Sequence, residues 1–382
     1  MHNARSAEVI IIGAGVVGMS IAWHLGLQGI HCLCVEQNTI GAGATSVQAG
    51  GVRTQWTTPV TIAMAVESSR FYGDIDSRLS PAVDPSFDAG GYLFAATEES
   101  TLRELEQAVE LQRSLGVDTS VLDTTGVAAL VDGLVADEIV GGTFNGADGY
   151  FDRPDVVAQA FADAAVRSGL AFVKGTVDRI TADGPDWTVV LDDRRTYTAP
   201  LVVVAAGLDT AGLVATQDVP LPVHAAPRSM FLSEPHEGQL VRPLLILQDQ
   251  RFVVKHLADG RILACDLTYE DSGSVADRNC RSKIADVLRR FLPEVSSIAF
   301  PRVRVGAYDV TPDNQLVVGP LPARPGLWVA TGMNGRGMML APAVGRMIAD
   351  AITLGAADAI PAELLPERFT SGRPLAAEGQ ML

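Results

Sequence analysis

Cysteine is scarce in this chain: four among 382 residues, Cys32, Cys34, Cys265 and Cys280, with no cysteine or histidine partner at metal-ligand spacing. That excludes a metal centre built on thiolates. Cys32 and Cys34 alternate with Leu33 and are expected as buried thiols on one face of a strand. The six histidines do not cluster either. There is no block of like charge and no basic stripe, and the formal net charge is −16. That balance excludes nucleic acid or an anionic membrane as the main partner. The opening residues, MHNARSAEV, lack the apolar run of an export signal, and no eighteen-residue apolar span stands out. The expectation is therefore a cytoplasmic protein with no membrane span. Internal repeats, low-complexity tracts and Pro/Ser-rich linkers are missing too. What the chain does have is 47% apolar residues, enough to fill two domains or one large discontinuous one.

The pattern of elements begins at once. EVIII (8–12) reads as a strand, MSIAWHLGLQG as a helix and IHCLCVE as a second strand, a βαβ unit. SFDAGGYLFAATEES has the pattern of a sheet hairpin, with Gly90-Gly91 as a turn or a close approach. STLRELEQAVELQRSLG then reads as an amphipathic helix with Leu102, Leu105 and Val109 on one face, opened by a capping box of Thr101 and Glu104. FDRPDVVAQAFADAAVRSGL is a second helix, with Asp152 at its start, Pro154 in its first turn and Gly169 near its end. AFVKGTVDRITAD and DWTVVLDD read as strands around a turn at Gly184-Pro185, followed by the buried-looking LVVVAAG. From about Val223 to Phe300 the strands RSMFLSE, LLILQ, RFVVKHL and RILACD and the helix VADRNCRSKIADVLRRFL indicate an antiparallel sheet with helices on one side. LWVAT, a glycine turn and a further helix follow.

The chemistry starts at Gly13-Ala14-Gly15-Val16-Val17-Gly18. This is G-x-G-x-x-G with a strand before it and a helix after it. Gly13 serves a tight turn, Gly15 a close backbone approach to a pyrophosphate, and Gly18 the packing of helix on strand. The helix N-terminus offers N–H groups and partial positive charge to a diphosphate. Glu36, at the end of the second strand, suits ribose hydroxyls. The ligand implied is an adenine dinucleotide, FAD or NAD. A simple NAD enzyme would run on into another βαβ repeat. Here the chain enters the small-residue loop GATSVQAGGVR, Gly43–Arg53, which suits a cofactor that extends further past the diphosphate.

Together, EVIIIGAGVVGMSIAWHLGLQGIHCLCVEQ and GAGATSVQAGGVR resemble the flavoprotein family that contains D-amino-acid oxidase, glycine oxidase and the sarcosine oxidases and dehydrogenases, closest to the sarcosine oxidase beta-subunit-like members. GYFDRPDVVAQAFADAAVRSGLAFVKGTVDRI, VVVAAG and GAYDVTPDNQLVVGPLPARPGLWVATGMNGRGMMLAPAVGRMIADAI agree, so the resemblance covers nearly the whole chain. It implies an α/β fold: a Rossmann-like, glutathione-reductase-type FAD domain and a discontinuous substrate domain with an antiparallel sheet. Residues 1–83, 151–222 and 301–382 would form the first, and 84–150 and 223–300 the second. It implies FAD held by Gly13, Gly15, Val16, Val17 and Gly18 at the diphosphate and by Glu36 and Gln37 at the ribose. Gly43, Ala44, Thr45, Ser46, Gln48, Ala49, Gly50 and Gly51 would line the flavin, and the Val177 backbone would meet the adenine. Ala206-Gly207 would turn near ribose and diphosphate. Gly332, Asn334, Gly335, Arg336, Gly337 and Met338 would form the turn into a late helix whose N-terminus faces the flavin pyrimidine and stabilises negative charge there.

Arg53 would bind a substrate carboxylate beside the flavin, and Tyr308 would face the substrate from a core strand, with a satisfied core tyrosine as the plainer reading. Two departures from the family stand out. Gly306 occupies the place of the cysteine that tethers flavin in monomeric sarcosine oxidases, which implies non-covalent FAD. No lysine falls in phase on GRILACD, where the oxidases carry one; Lys255 and His256, one strand earlier, are the nearest candidates for a catalytic positive group. The electron acceptor is therefore dioxygen or another carrier. The reaction implied is oxidation of the C–N bond of a small amine or amino acid. Oxidation of a hydroxy acid or polyol, and a flavin-carrying subunit of a larger electron-transfer assembly, stay open beside it. A homo-oligomer or hetero-oligomer is equally compatible, and no metal is expected.

Overall fold

The structure is a computed structural model that describes residues 7–268, 274–355, 359–372, 375 and 377–379. Val9–Ile12 and Cys32–Glu36 are nearly continuous apolar runs because they lie side by side inside a sheet covered on both faces. That six-stranded sheet runs Val317–Pro320, Leu327–Thr331, Leu201–Val204, Val9–Ile12, Cys32–Glu36, Ala171–Lys174. All neighbours are parallel except the first pair. All four cysteines are buried, and none of them forms a disulfide.

AFVKGTVDRITAD is not one strand. It breaks at Gly175–Thr176, where Gly175 N–H donates to the Glu36 carbonyl at 2.9 Å and ends the parallel pairing. A Cβ on Gly175 would lie 2.6 Å from Leu191 Cδ1, so glycine lets the chain cross there. Val177–Asp183 then joins Asp186–Leu191 and Thr196–Ala199 in a separate antiparallel sheet, turning at residues 184–185 as the sequence suggests.

The second large sheet has eight strands in the order Arg302–Val310, His224–Leu232, Ile262–Asp266, Phe252–His256, Leu244–Leu247, Tyr92–Ala96, Gly141–Asn145, Ser120–Leu122. It is not wholly antiparallel: Leu244–Leu247 and Tyr92–Ala96 pair in parallel. Its edge strand Arg302–Val310 comes from the segment that the resemblance assigns to the nucleotide domain, yet it pairs along its whole length with His224–Leu232. The hairpin expected at Gly90-Gly91 is absent. Phe87–Asp88 pairs with Gly149–Phe151 in a small sheet, whereas Tyr92–Ala96 belongs to the eight-stranded one. Gly91 (φ +89°) instead makes a close approach, since a Cβ there would meet the Phe144 ring at 2.3 Å.

Helix Glu99–Ser114 buries Leu105 and Val109, but Thr101 and Glu104 do not cap it. Asp249, from the turn before Phe252, instead anchors the residues that lead into it. Its carboxylate accepts from the backbone N–H groups of Thr97 (2.6 Å) and Glu98 (3.2 Å), and from the hydroxyls of Thr97 and Thr101. A carboxylate at a helix N-terminus is favourable wherever in the sequence it comes from.

Helix Val16–Leu27 packs against the late helix Gly337–Leu354. Ser20 Oγ donates to the Ala341 carbonyl at 2.8 Å across 321 residues of sequence. The approach is possible because position 345 is glycine: a Cβ there would lie 2.3 Å from Ser20 Oγ and 2.7 Å from Ser20 backbone carbon. On its other side the late helix meets helix Pro59–Gly73, whose Tyr72 hydroxyl donates to the Met338 carbonyl at 2.5 Å. The late helix is, by length and composition, apolar enough to cross a membrane, contrary to the reading of the sequence. Its apolar residues are spent between its two neighbours, and Leu340, Val344, Met347 and Ile348 are all buried there. Gly345→Ala should force the two helices apart and cost about 1–3 kcal/mol, the usual penalty for overpacking a tight core. Thermal or denaturant unfolding reads this directly, and a variant as stable as the parent would show that the contact is not tight.

Candidate active site

The glycine-rich turn is built as the motif requires. Gly13 adopts φ +105°, and a Cβ on it would sit 2.5 Å from the Ala205 carbonyl oxygen; a Cβ on Gly18 would sit 2.1 Å from that of Gly13. Neither position admits a side chain. Glu36 is fixed beside this turn by accepting from Ala14 N–H and Asn38 N–H, both at 2.7 Å. Thr45 Oγ1 accepts from Val16 N–H at 3.2 Å, and Gly41 N–H donates to Ala14 at 2.9 Å. The loop around Gly43, Ala44 and Ser46 thus folds back over the turn, with Ser46 Oγ donating to the Ala42 carbonyl. Small residues are demanded because backbone packs on backbone: Gly50 would drive a Cβ to 2.1 Å from the Phe151 carbonyl, and Gly51 to 2.8 Å from Tyr92 Oη.

The other predicted cofactor positions divide. Gln37 Nε2 reaches Asp209 at 3.2 Å, and Ala206 N–H is taken by Thr210 Oγ1 at 3.0 Å. Gly207 (φ +56°) has open space where a Cβ would point. Val177 lies at the start of its strand beside a register shift. Asn334 (φ +50°) holds the late turn together, its Oδ1 accepting from Thr311 N–H at 3.0 Å and its Nδ2 donating to the Gly332 carbonyl at 2.5 Å. Gly335 (φ +79°) leaves room for Tyr308, whose Cε2 would be 2.7 Å from an added Cβ. Two residues singled out separately in the sequence therefore pack on each other.

Gln48, Ala49, Gly50, Gly51, Arg53, Tyr308, Asn334, Gly335 and Arg336 line one cavity of about 160 Å³, between the loop, the late turn and one face of the eight-stranded sheet. Arg53 is buried under three rings: its guanidinium carbon lies 3.7 Å from the Trp56 ring centre, 4.8 Å from Phe94 and 5.6 Å from Tyr92. Arg336 approaches the same Trp56 ring at 5.3 Å. Burial lowers the pKa of both, that of Arg336 to about 10; a guanidinium keeps its proton at neutral pH. Beneath Arg53, Asp148 accepts from Thr54 N–H (2.9 Å) and Oγ1 (2.8 Å) and from Gln55 Nε2 (3.2 Å). Burial raises its pKa to about 6. Burial likewise raises that of Tyr308.

Lys255 and His256 do not join this group. Lys255 shares a sheet face with Val253, which lines the cavity, but its ammonium is engaged beyond it by the Phe151 carbonyl (3.1 Å) and Asp152 (3.3 Å), over the Tyr150 ring. Burial lowers its pKa to about 8. His256 points to the opposite face, where Nδ1 accepts from Leu240 N–H at 3.2 Å. A one-residue step along a strand reverses the face, and the next same-face position is already beyond the cavity.

Several wall residues carry no sequence signal. Trp56 sits in no motif. Arg228 lies opposite Gly306 in the strand pairing and over the Tyr308 ring at 5.1 Å, a neighbour visible only once that pairing is known. Glu378 is the least expected. Its carboxylate accepts from Thr57 N–H at 2.7 Å and from the hydroxyls of Thr57 and Thr58, both at 2.5 Å, and it lines the cavity.

A G-x-G-x-x-G turn with its acid, a glycine-rich loop folded back over that turn, and a cationic cavity between the loop and the start of a second long helix define an FAD flavoenzyme. The backbone is open where the cofactor is expected to pass: an added Cβ would meet nothing within 4 Å at Gly43 or Gly207 and only Thr45 Oγ1, at 3.4 Å, at Gly15, which fits that cofactor. Residues 8–351 match the family described as DAO, FAD dependent oxidoreductase, and the chain belongs to it. It is 27% identical to FAD-dependent oxidoreductase domain-containing protein 1 of Xenopus laevis, across 91% of this chain and 79% of that one. It is 25% identical to the 4-methylaminobutanoate oxidase (formaldehyde-forming) of Paenarthrobacter nicotinovorans, across 91% of this chain and 44% of that one. Among solved structures, L-proline dehydrogenase from P. horikoshii superposes with a TM-score of 0.89 at 22% identity, covering 97% of this chain and 99% of its own, which shows a shared fold.

Lys255→Met should remove one partner of a buried ion pair and cost about 3–5 kcal/mol, read as a lower melting temperature. The absorbance spectrum of the bound flavin should not change. A spectral shift would place Lys255 beside the ring after all.

Proposed function

We propose that this enzyme oxidises the C–N bond of a small amino acid or secondary N-methyl amine that carries a carboxylate. Arg336 carries the reading. Its Nη1 and Nη2 are buried and have no hydrogen-bond partner among the described residues. A buried guanidinium is costly unless an anion meets it, and a carboxylate does so with two parallel hydrogen bonds. Arg53, at the same Trp56 ring, adds a second positive charge to the same wall. Tyr308, wedged against Gly335, limits the space left for the substrate and keeps it small. Bound FAD supplies the hydride acceptor, and the resulting imine hydrolyses in water. The protein's part is to fix the carboxylate so that the adjacent C–H and amine have one orientation, and to exclude water with the Trp56, Tyr92 and Tyr308 rings. The relative named for 4-methylaminobutanoate supports the choice, since that compound joins a secondary N-methyl amine to a carboxylate.

The flavin is held without a covalent bond in this reading. Gly306 stands where the tether would be, and a Cβ there would lie 2.7 Å from Val47 Cγ2. Acid precipitation should leave all the yellow colour in the supernatant; colour in the pellet would overturn this point.

Anaerobic mixing with a panel of primary and N-methyl amino acids should bleach the flavin and release ammonia or methylamine. Bleaching by hydroxy acids alone would sink the C–N reading. Arg336→Met should weaken carboxylate-bearing amines about 10- to 100-fold, the equivalent of a charged hydrogen bond of roughly 1.5–3 kcal/mol.

A further inference from the structure

The late helix carries a proline close to its start. Pro342, inside Gly337–Leu354, has no N–H to give the Met338 carbonyl one turn earlier, and its ring crowds that oxygen. Both residues are buried, so water is no substitute. A buried carbonyl without a donor is costly and rare in a folded chain.

Tyr72, on helix Pro59–Gly73, supplies the missing donor. Its hydroxyl reaches the Met338 carbonyl at 2.5 Å, with Met338 Sδ at 3.6 Å. Burial raises the pKa of this phenol, so it keeps its proton and stays a donor. The ring has no room to swing away. Tyr72 is 1% exposed and meets Phe151 and Phe71 edge-on, with ring centres 5.1 Å and 5.8 Å apart. Phe151 is itself tied to the small-residue loop, its N–H donating to the Gly50 carbonyl at 2.8 Å. One turn back on the same helix, Ser68 Oγ accepts from Ala343 N–H at 3.3 Å. Positions four apart share a helix face. A single face therefore answers the late helix on both sides of its proline.

The repaired turn is the one beside the cavity. Arg336 stands at its N-cap, and the Arg336 carbonyl accepts from Leu340 N–H at 3.0 Å. Met339 lines the cavity with Gly335 and Arg336, whereas Tyr72 does not. Left bare, the Met338 oxygen would put partial negative charge within one turn of a helix start whose own field is positive. The phenolic proton cancels it.

We propose that Tyr72 is a positioning residue for an FAD ring seated at this helix start. By replacing the hydrogen bond that Pro342 removes, it fixes the first turn and keeps the field there positive, where the reduced ring gathers negative charge. The quantity it sets is the reduction potential, whichever substrate is oxidised.

A double-mutant cycle on the FAD-loaded protein tests this, with the midpoint potential read from flavin absorbance during slow anaerobic reduction against a reference dye. Tyr72→Phe should lower the potential by about 14 mV or more. That is about a threefold loss of preference for reduced over oxidised flavin, at about 30 mV per tenfold for a two-electron couple. Pro342→Ala returns an N–H to the Met338 carbonyl, so Tyr72→Phe in that background should shift the potential less than half as much. No shift or a rise in the Pro342 protein, or half the shift or more in the Pro342→Ala background, overturns the inference. Should Tyr72→Phe alone hold too little flavin to measure, the combined variant decides. Flavin content restored, with a potential within about 14 mV of Pro342→Ala alone, upholds the inference; any other result overturns it. No amine is present in the cycle, so the C–N reading stands or falls separately.

Discussion

Two helices that start more than three hundred residues apart have to lie almost backbone to backbone for this protein to have a cofactor site. Ser20 and Gly345 make that possible, one by donating its hydroxyl to the Ala341 carbonyl and the other by having no side chain. The consequence is electrostatic. The N-termini of Val16–Leu27 and Gly337–Leu354 are held by one packing contact, and each presents backbone N–H groups that its own helix cannot satisfy. A dinucleotide and an electron-rich ring suit such a pair. The six-stranded sheet, the small-residue loop and helix Pro59–Gly73 can all be seen as means of keeping that crossing fixed.

The second theme is the cost of burying positive charge. Arg53 and Arg336, both beside Trp56, repel each other, and both are removed from water. Aromatic faces offset part of this, Asp148 lies beneath one of them, and Glu378 is brought in from a distant segment to face both. The arrangement makes sense as a seat that is completed by an anion. It makes less sense as a stability device, since an apolar wall would be cheaper to bury.

Much of this could be read in the sequence, for a definite reason. Gly13, Gly15 and Gly18 with Glu36 form a local pattern whose geometry is enforced by steric contacts within a single βαβ unit. The turn at Gly332–Gly337 is local in the same way. What could not be read was set by strand pairing. Arg228 faces Gly306 only because two strands lie in register. Lys255 stays out of the cavity lining only because its place along the strand carries its ammonium to Asp152. Asp249 anchors the entry to a helix that its own sequence seemed to cap with Thr101 and Glu104, and a carboxylate from another segment leaves no mark in that local pattern. Gly90-Gly91 looked like a hairpin because a hairpin and a crossing between two sheets make the same demand on the backbone. Local chemistry is legible, then, while partners supplied through tertiary register are not.

The separation of 321 positions between Ser20 and Ala341 also bears on how the molecule is made. Contacts so remote in sequence close a very large loop, and they form late because chain entropy must be given up before they return anything. The first glycine turn can assemble from its own neighbourhood, but the seat for the ring system exists only after that closure. Cofactor capture is then the last act of maturation. It also acts as a clamp, since a ligand that binds only the closed form adds its binding energy to the stability of the whole chain.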